Sequence, residues 1–159
     1  MKRFLVPVVL AAAALSVAEP AMARSDVEVS PHVAAGANAT GKVTLTVRST
    51  QFGRILFDSR GQALYGFTRD RRGGPSRCYG ACATAWPVHY AKGTLRAGSG
   101  VKQSLIGTTR RNDGRLQVTY NGWPLYFYAE EGVGEVTCQN VDEFGGLWLV
   151  ARPNGTLVR

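Results

Sequence analysis

The chain has 159 residues, 45% of them apolar, with a formal net charge of +8. That leaves room for one ordinary domain or two small, closely packed halves. It holds only two histidines, His32 and His89, so a hydrolytic or general-base mechanism built on histidine has few players.

Residues 1–23 carry the three zones of a secretory signal: basic Lys2 and Arg3, an apolar run from Phe4 to Val17, and Ala21-Met22-Ala23 as a small-x-small cleavage site. The apolar run is shorter than a bilayer span requires, and no cysteine stands beside the cleavage site to take a lipid. A periplasmic or secreted protein without a transmembrane segment or lipid anchor is therefore expected. Residues 24–42 are small and polar and read as a flexible leader, with His32 as a solvated loop residue. The domain is expected to occupy 43–159.

Val43 to Val47 alternates as a strand does. From Gly53 the sequence reads GRILFDSRGQALYGFTRD, and 61 positions later, from Gly114, it reads GRLQVTYNGWPLYFYAEE. Such self-similarity marks a repeated supersecondary unit whose copies bury their apolar faces on each other, the first over about 53–92 and the second over about 104–153. In the first copy Ile55 to Asp58 and Ala63 to Phe67 read as a hairpin joined by Ser59-Arg60-Gly61. In the second, Ser104 to Thr109, Leu116 to Tyr120 and Trp123 to Tyr128 read as a meander turning at Asn112-Asp113-Gly114 and Asn121-Gly122. Leu147 to Ala151 and Thr156 to Val158 flank another turn at Pro153-Asn154-Gly155, and CYGACATAW has room for one helical turn. The fold class that follows is all-β: two related meander or hairpin repeats packed as one small sandwich or barrel-like domain.

The paired LYGFTRD and LYFYAEE, the stretch SRCYGACATAWP, and RNDGRLQVTYNGWPLYFY followed by FGGLWLVARPNG resemble the bacterial secreted or lipoprotein repeat family known for a Y-x-(F/W/Y)-x-x-D motif. Tyr65, Phe67 and Asp70 match that motif in the first copy. Tyr126 and Tyr128 match in the second, where Glu131 stands for the aspartate. The resemblance implies an envelope protein and assigns no activity. The chain departs from it in lacking a lipid-accepting cysteine and in carrying Cys138 where the family more often has glycine.

Residues two apart on a strand share a face, so Tyr65 projects with Phe67 and Tyr126 with Tyr128, while Leu64 and Leu125 point the other way. Asp70 has the wrong parity to meet Tyr65 and is expected to pin the following turn. The aromatics are expected to fill a β core; the alternative is a shallow platform for a sugar, a peptide or an aromatic cofactor.

Export makes Cys78, Cys82 and Cys138 disulfide candidates. The close spacing and the resemblance favour Cys78 with Cys82; a bridge from either to Cys138 would instead tie the copies together. No zinc or haem signature is present, and no metal or cofactor is implied. Ser76, His89 and Asp70 supply triad residue types without a nucleophile-elbow sequence. Arg69, Arg71, Arg72 and Arg77 form one basic patch, and Arg110, Arg111 and Arg115 a second, expected at equivalent places if the copies are related by a twofold.

The function expected is that of an exported, non-catalytic binding or structural module of the cell envelope. Its partner would be an anionic envelope polymer or another envelope protein, with nucleic acid not expected. The alternative is periplasmic thiol redox or metal handling through Cys78 and Cys82.

Overall fold

The computed structural model describes residues 44–159; the expected signal and leader, with His32 and Val43, lie outside the described residues. The strands are β1 (Leu45–Thr50), β2 (Gly53–Asp58), β3 (Tyr65–Phe67), β4 (Ile106–Arg110), β5 (Leu116–Tyr120), β6 (Trp123–Pro124), β7 (Val141–Glu143) and β8 (Gly146–Val150). Helix α1 (Ala81–Ala85) is the one helical turn for which CYGACATAW has room, and a 3-10 turn covers Gln103–Leu105. The strands form three small antiparallel sheets, β1-β2, β3-β8-β7 and β4-β5-β6. The all-β expectation and the two repeats hold, and among the described residues no closed barrel is formed.

The repeats begin alike. β1 and β2 pair from Leu45↔Asp58 to Thr50↔Gly53, and β4 and β5 from Ile106↔Tyr120 to Arg110↔Leu116. The expected strand at Val43 to Val47 thus runs on to Thr50. Asn121 and Gly122 both take positive φ, 49° and 79°, the geometry for which Asn-Gly is selected in a two-residue hairpin. Its partner strand β6 returns with Thr119↔Pro124 and Tyr120↔Trp123.

The first-copy hairpin differs from expectation. Its turn is present, pinned by Asp58 Oδ1, which accepts the N–H groups of Arg60, Gly61 and Gln62 at 2.9, 2.8 and 2.9 Å. Pairing with β2 nevertheless ends at Leu64, whose N–H donates to Leu56 O at 3.1 Å. Tyr65–Phe67 then leaves β2 and pairs with β8, Tyr65 opposite Val150 and Phe67 opposite Trp148. The crossing gives Phe67 a stacked contact on Trp148, with ring centroids 4.1 Å apart, a stabilisation a local hairpin would forgo.

An approximate twofold axis runs between the two motif tyrosines. The Tyr65 N–H donates to Tyr126 O and the Tyr126 N–H to Tyr65 O, both at 2.9 Å. On their far sides Tyr65 pairs with Val150 of the second copy and Tyr126 with Val88 of the first. Each copy therefore sends its last strand across to the other. The core has two layers, as strand parity requires. Ile55, Phe57, Tyr65, Phe67, Trp86, Tyr126 and Trp148 fill one; Leu45, Leu56, Leu64, Val118, Tyr120 and Leu125 fill the other.

Candidate functional site

At the axis Trp86 and Trp148 stack face to face, centroids 4.0 Å apart and planes 2° from parallel. Phe67 continues the stack beyond Trp148, and Tyr128, 4.9 Å from Trp86 and tilted 44°, continues it at the other end. Tyr65 and Tyr126 meet the tryptophans edge-on at 5.3 and 5.1 Å. Tyr65, Phe67, Tyr126 and both of these tryptophans are buried; these motif aromatics are core, as expected, while Tyr128 is half-buried at the core's edge.

The acids have partners that strand parity does not reveal. Parity correctly keeps Asp70 from Tyr65, but each acid is hydrogen-bonded by the tyrosine of the other copy. Tyr126 Oη donates to Asp70 Oδ2 at 2.7 Å and Tyr65 Oη to Glu131 Oε1 at 2.5 Å. The acids also pin their turns. Asp70 Oδ1 accepts the Arg77 N–H at 2.7 Å, and Glu131 Oε1 accepts the N–H of Cys138, the residue equivalent to Arg77, at 3.2 Å. Both phenols are held well above their ordinary pKa, first by burial and then by the carboxylate beside each.

Around Asp70 the network reaches a cation. Arg111 Nη1 donates to Ser76 Oγ at 2.6 Å, and Ser76 Oγ lies 2.6 Å from Tyr126 Oη. Tyr126 spends its proton on Asp70, so the Ser76 hydroxyl must donate to Tyr126. A chain of donors therefore runs from the guanidinium to the carboxylate. Burial raises the Asp70 pKa to about 6, against the pull of Tyr126, Arg77 and Arg111. Arg111 also donates to Gln117 Oε1 at 2.9 Å and Cys78 O at 2.6 Å, and it is buried. It is thus not part of a surface patch. Buried guanidinium needs such partners, and a lone arginine in a basic run gives no sign of them. The place of Ser76 was open to inference, because the residue 61 positions on, Thr137, is also a hydroxyl; its Oγ1 donates to Glu131 Oε1 at 3.0 Å.

Cys78 and Cys82 form a disulfide, and both are buried. Cys138 is a free, half-buried thiol whose pKa is raised, chiefly by burial. The Tyr128 hydroxyl near it is pushed up to about 12 by that sulfur first, then by burial and Glu130.

The exposed arginines Arg69, Arg71, Arg72 and Arg77 lie on the loop after β3, and Arg110 and Arg115 at the β4–β5 turn. These two groups are not twofold mates. Arg111 reaches Cys78 O, Thr109 Oγ1 reaches Gly74 O, and Tyr79 Oη reaches Asn112 Oδ1. The Arg71–Arg77 loop therefore lies against the β4–β5 end of the second copy, which brings the two groups of arginines onto neighbouring segments.

A cleft of ≈ 290 Å3 opens beside the first copy's last strand, lined by Thr44, Asp58, Ser59, Arg60, Val88, His89, Tyr90, Lys92 and Phe127. His89 Nε2 is buried there without a partner among the described residues. Burial lowers its pKa to about 4, so it is neutral at physiological pH. Ser76 takes no hydrogen bond from His89, and no triad is assembled.

A family model described as a secreted repeat of unknown function matches residues 46–89 and 107–152. Each match holds one of the two crossed tyrosines, Tyr65 in the first and Tyr126 in the second. No curated protein and no solved structure matches the chain. No helix of the described residues is long and apolar enough to cross a membrane.

Proposed function

The chain belongs to this family of secreted repeats, and we propose that it acts as an exported, non-catalytic binding module of the cell envelope. The observation that carries this reading is where the reactive side chains are spent. Both motif tyrosines and both motif acids are buried in reciprocal hydrogen bonds, which makes them structural. What remains for recognition is the surface, and its most distinctive region is the basic face that the exposed arginines of the loop and the neighbouring turn contribute to. Among the described residues, Arg71 and Arg77 of that face have no acidic partner, so they are available to anionic polymer.

Thiol redox through Cys78 and Cys82 is the weaker reading, because exchange requires a thiolate to reach a disulfide sulfur and both cysteines are buried. Retention of the protein on peptidoglycan or an anionic polymer at low salt tests the preferred reading. Neutralising Arg71, Arg72, Arg77 and Arg110 together is expected to abolish salt-sensitive retention. Unchanged retention would sink the basic face as the binding surface.

A further inference from the structure

The twofold is broken at the outer edge of the crossed sheet. In the second copy the chain doubles back after β8 and adds residues 156–158 to that edge. The Arg152 N–H donates to Thr156 O at 2.8 Å and the Val158 N–H to Val150 O at 3.0 Å. Leu157 packs over Gly66, where a Cβ would come within 2.7 Å of its Cδ2. Asn121 Nδ2 holds the returning segment through Gly155 O at 3.0 Å, and Tyr120 Oη through Pro153 O at 2.8 Å.

The first copy carries the matching Gly93-Thr94-Leu95, but that segment does not return to the edge and makes no hydrogen bond to Val88 or Tyr90. His89 there corresponds to Ala151: its N–H donates to Leu125 O at 3.1 Å and its carbonyl accepts from Val118 at 2.8 Å. The neighbouring Val88 and Tyr90 must then turn their N–H and C=O groups to the opposite side. Among the described residues none of these four groups is hydrogen-bonded. They border the cleft that Arg60, His89, Lys92 and Phe127 also line. Arg60 and Phe127, which the twofold relates to Asn121 and Gly66, lie in that cleft's wall. The cleft is thus the open counterpart of the place that residues 156–158 close.

We propose that this edge takes an extended, acidic peptide segment of a partner protein as an added antiparallel strand, bonded to Val88 and Tyr90 as Val158 and Thr156 are bonded to Val150 and Arg152. Edge addition of this kind draws affinity from main-chain bonds and selectivity from alternate side chains. The central residue of the segment lies opposite His89, as Leu157 lies opposite Ala151, and an apolar side chain suits the Phe127 wall. Antiparallel addition carries the residues preceding it toward Tyr90 and Lys92. Lys92 is exposed and has no acidic partner among the described residues, so an acidic side chain belongs there. The proposal rests on the reading of the protein as a binding module and names a site and partner class for it.

The test uses the exported chain and a capped hexapeptide of sequence DDGTLV, which copies residues 155–158 behind two acids. Titration followed by amide NMR is expected to shift the Val88, His89 and Tyr90 signals. N-methylation of the peptide's valine, which removes the donor to Val88 O, is expected to weaken binding about tenfold or more. N-methylation of its leucine, whose N–H faces away, is expected to change it little. Lys92→Glu, or replacing the two acids by lysines in the peptide, is expected to cost about as much as the first methylation.

Equal loss from both methylations, or tight binding by the lysine peptide, would overturn the proposal. So would shifts confined to the Arg71–Arg77 loop, or no shift at all. A Tyr90 amide already protected from exchange without peptide would also overturn it, by showing the edge filled by the chain itself or by a second copy. Loss of peptide binding with polymer retention intact would remove this site alone. Loss of both would remove the binding-module reading.

Discussion

The loops that follow the two motif strands do the same backbone work with opposite chemistry. After Phe67, Asp70 accepts the N–H of the residue seven positions on, and Glu131 does the same after Tyr128. The first loop surrounds its acid with Arg69, Arg71, Arg72 and Arg77, closes with a disulfide, and is tied by Arg111 to the second copy. The second carries Glu130, Glu135 and a free thiol and leads into Asp142 and Glu143 of β7, and Glu131 Oε2 is buried with no partner among the described residues. The duplicated fold constrains the position of a turn-pinning, tyrosine-bound carboxylate. It leaves free both how that carboxylate is compensated and the sign of the surface around it.

The largest effect should fall where the copies are most alike. Trp86→Ala and Trp148→Ala each remove half of the central stack and are expected to cost about 3 to 5 kcal/mol in denaturant unfolding. A large difference between the two would break the twofold equivalence of the core. Arg111→Met should come next, at about 3 kcal/mol, because it strands the buried Asp70 charge and leaves Ser76 Oγ, Gln117 Oε1 and Cys78 O without their donor. The second loop, residues 129–140, holds no basic residue, and Thr50 stands where the period of 61 would place a counterpart of Arg111.

Acid titration sharpens the contrast further. The Asp70 pKa is raised in the folded state, so its contribution is fully present below about pH 4 and is lost as pH rises through about 6. The His89 pKa is lowered, so its contribution is present above about pH 6.5 and is lost as pH falls toward 4. The two slopes oppose each other in one window. Stability of the parent protein should vary little between pH 4 and 6.5. Asp70→Asn should expose a fall toward acid and His89→Gln a rise, each of at most about 3 kcal/mol. A flat profile in either variant would contradict the buried placement of the remaining group.

Tyr126→Phe is expected to cost about 2 kcal/mol and Tyr65→Phe about 1. The Tyr126 hydroxyl serves both Asp70 and Ser76, whereas that of Tyr65 serves Glu131, which has other donors. Reversal of that order in paired unfolding curves would place the stronger network around Glu131.

Much of this was legible in the sequence, because it depends on local pattern. The period of 61 residues, the Asn121-Gly122 turn, the alternation that separates Leu64 from Tyr65, and the hydroxyl at both 76 and 137 all declare themselves along the chain. The crossing did not, because parity governs what one strand does and says nothing of what approaches from another. Tyr65 and Asp70 are five residues apart and never meet, while Tyr126 and Asp70 are 56 apart and do. Arg111 was read as surface for the same reason: only tertiary contact reveals that Ser76, Gln117 and Cys78 are waiting for it.

The exchanged strands also set the order in which the molecule can be made. β3 lies near the start of the domain, yet its ladder partner is β8, which ends nine residues short of the C-terminus. Until β8 has been made, Phe67 has no strand to pair with and Tyr65 has only Tyr126, and contacts so distant in sequence form slowly.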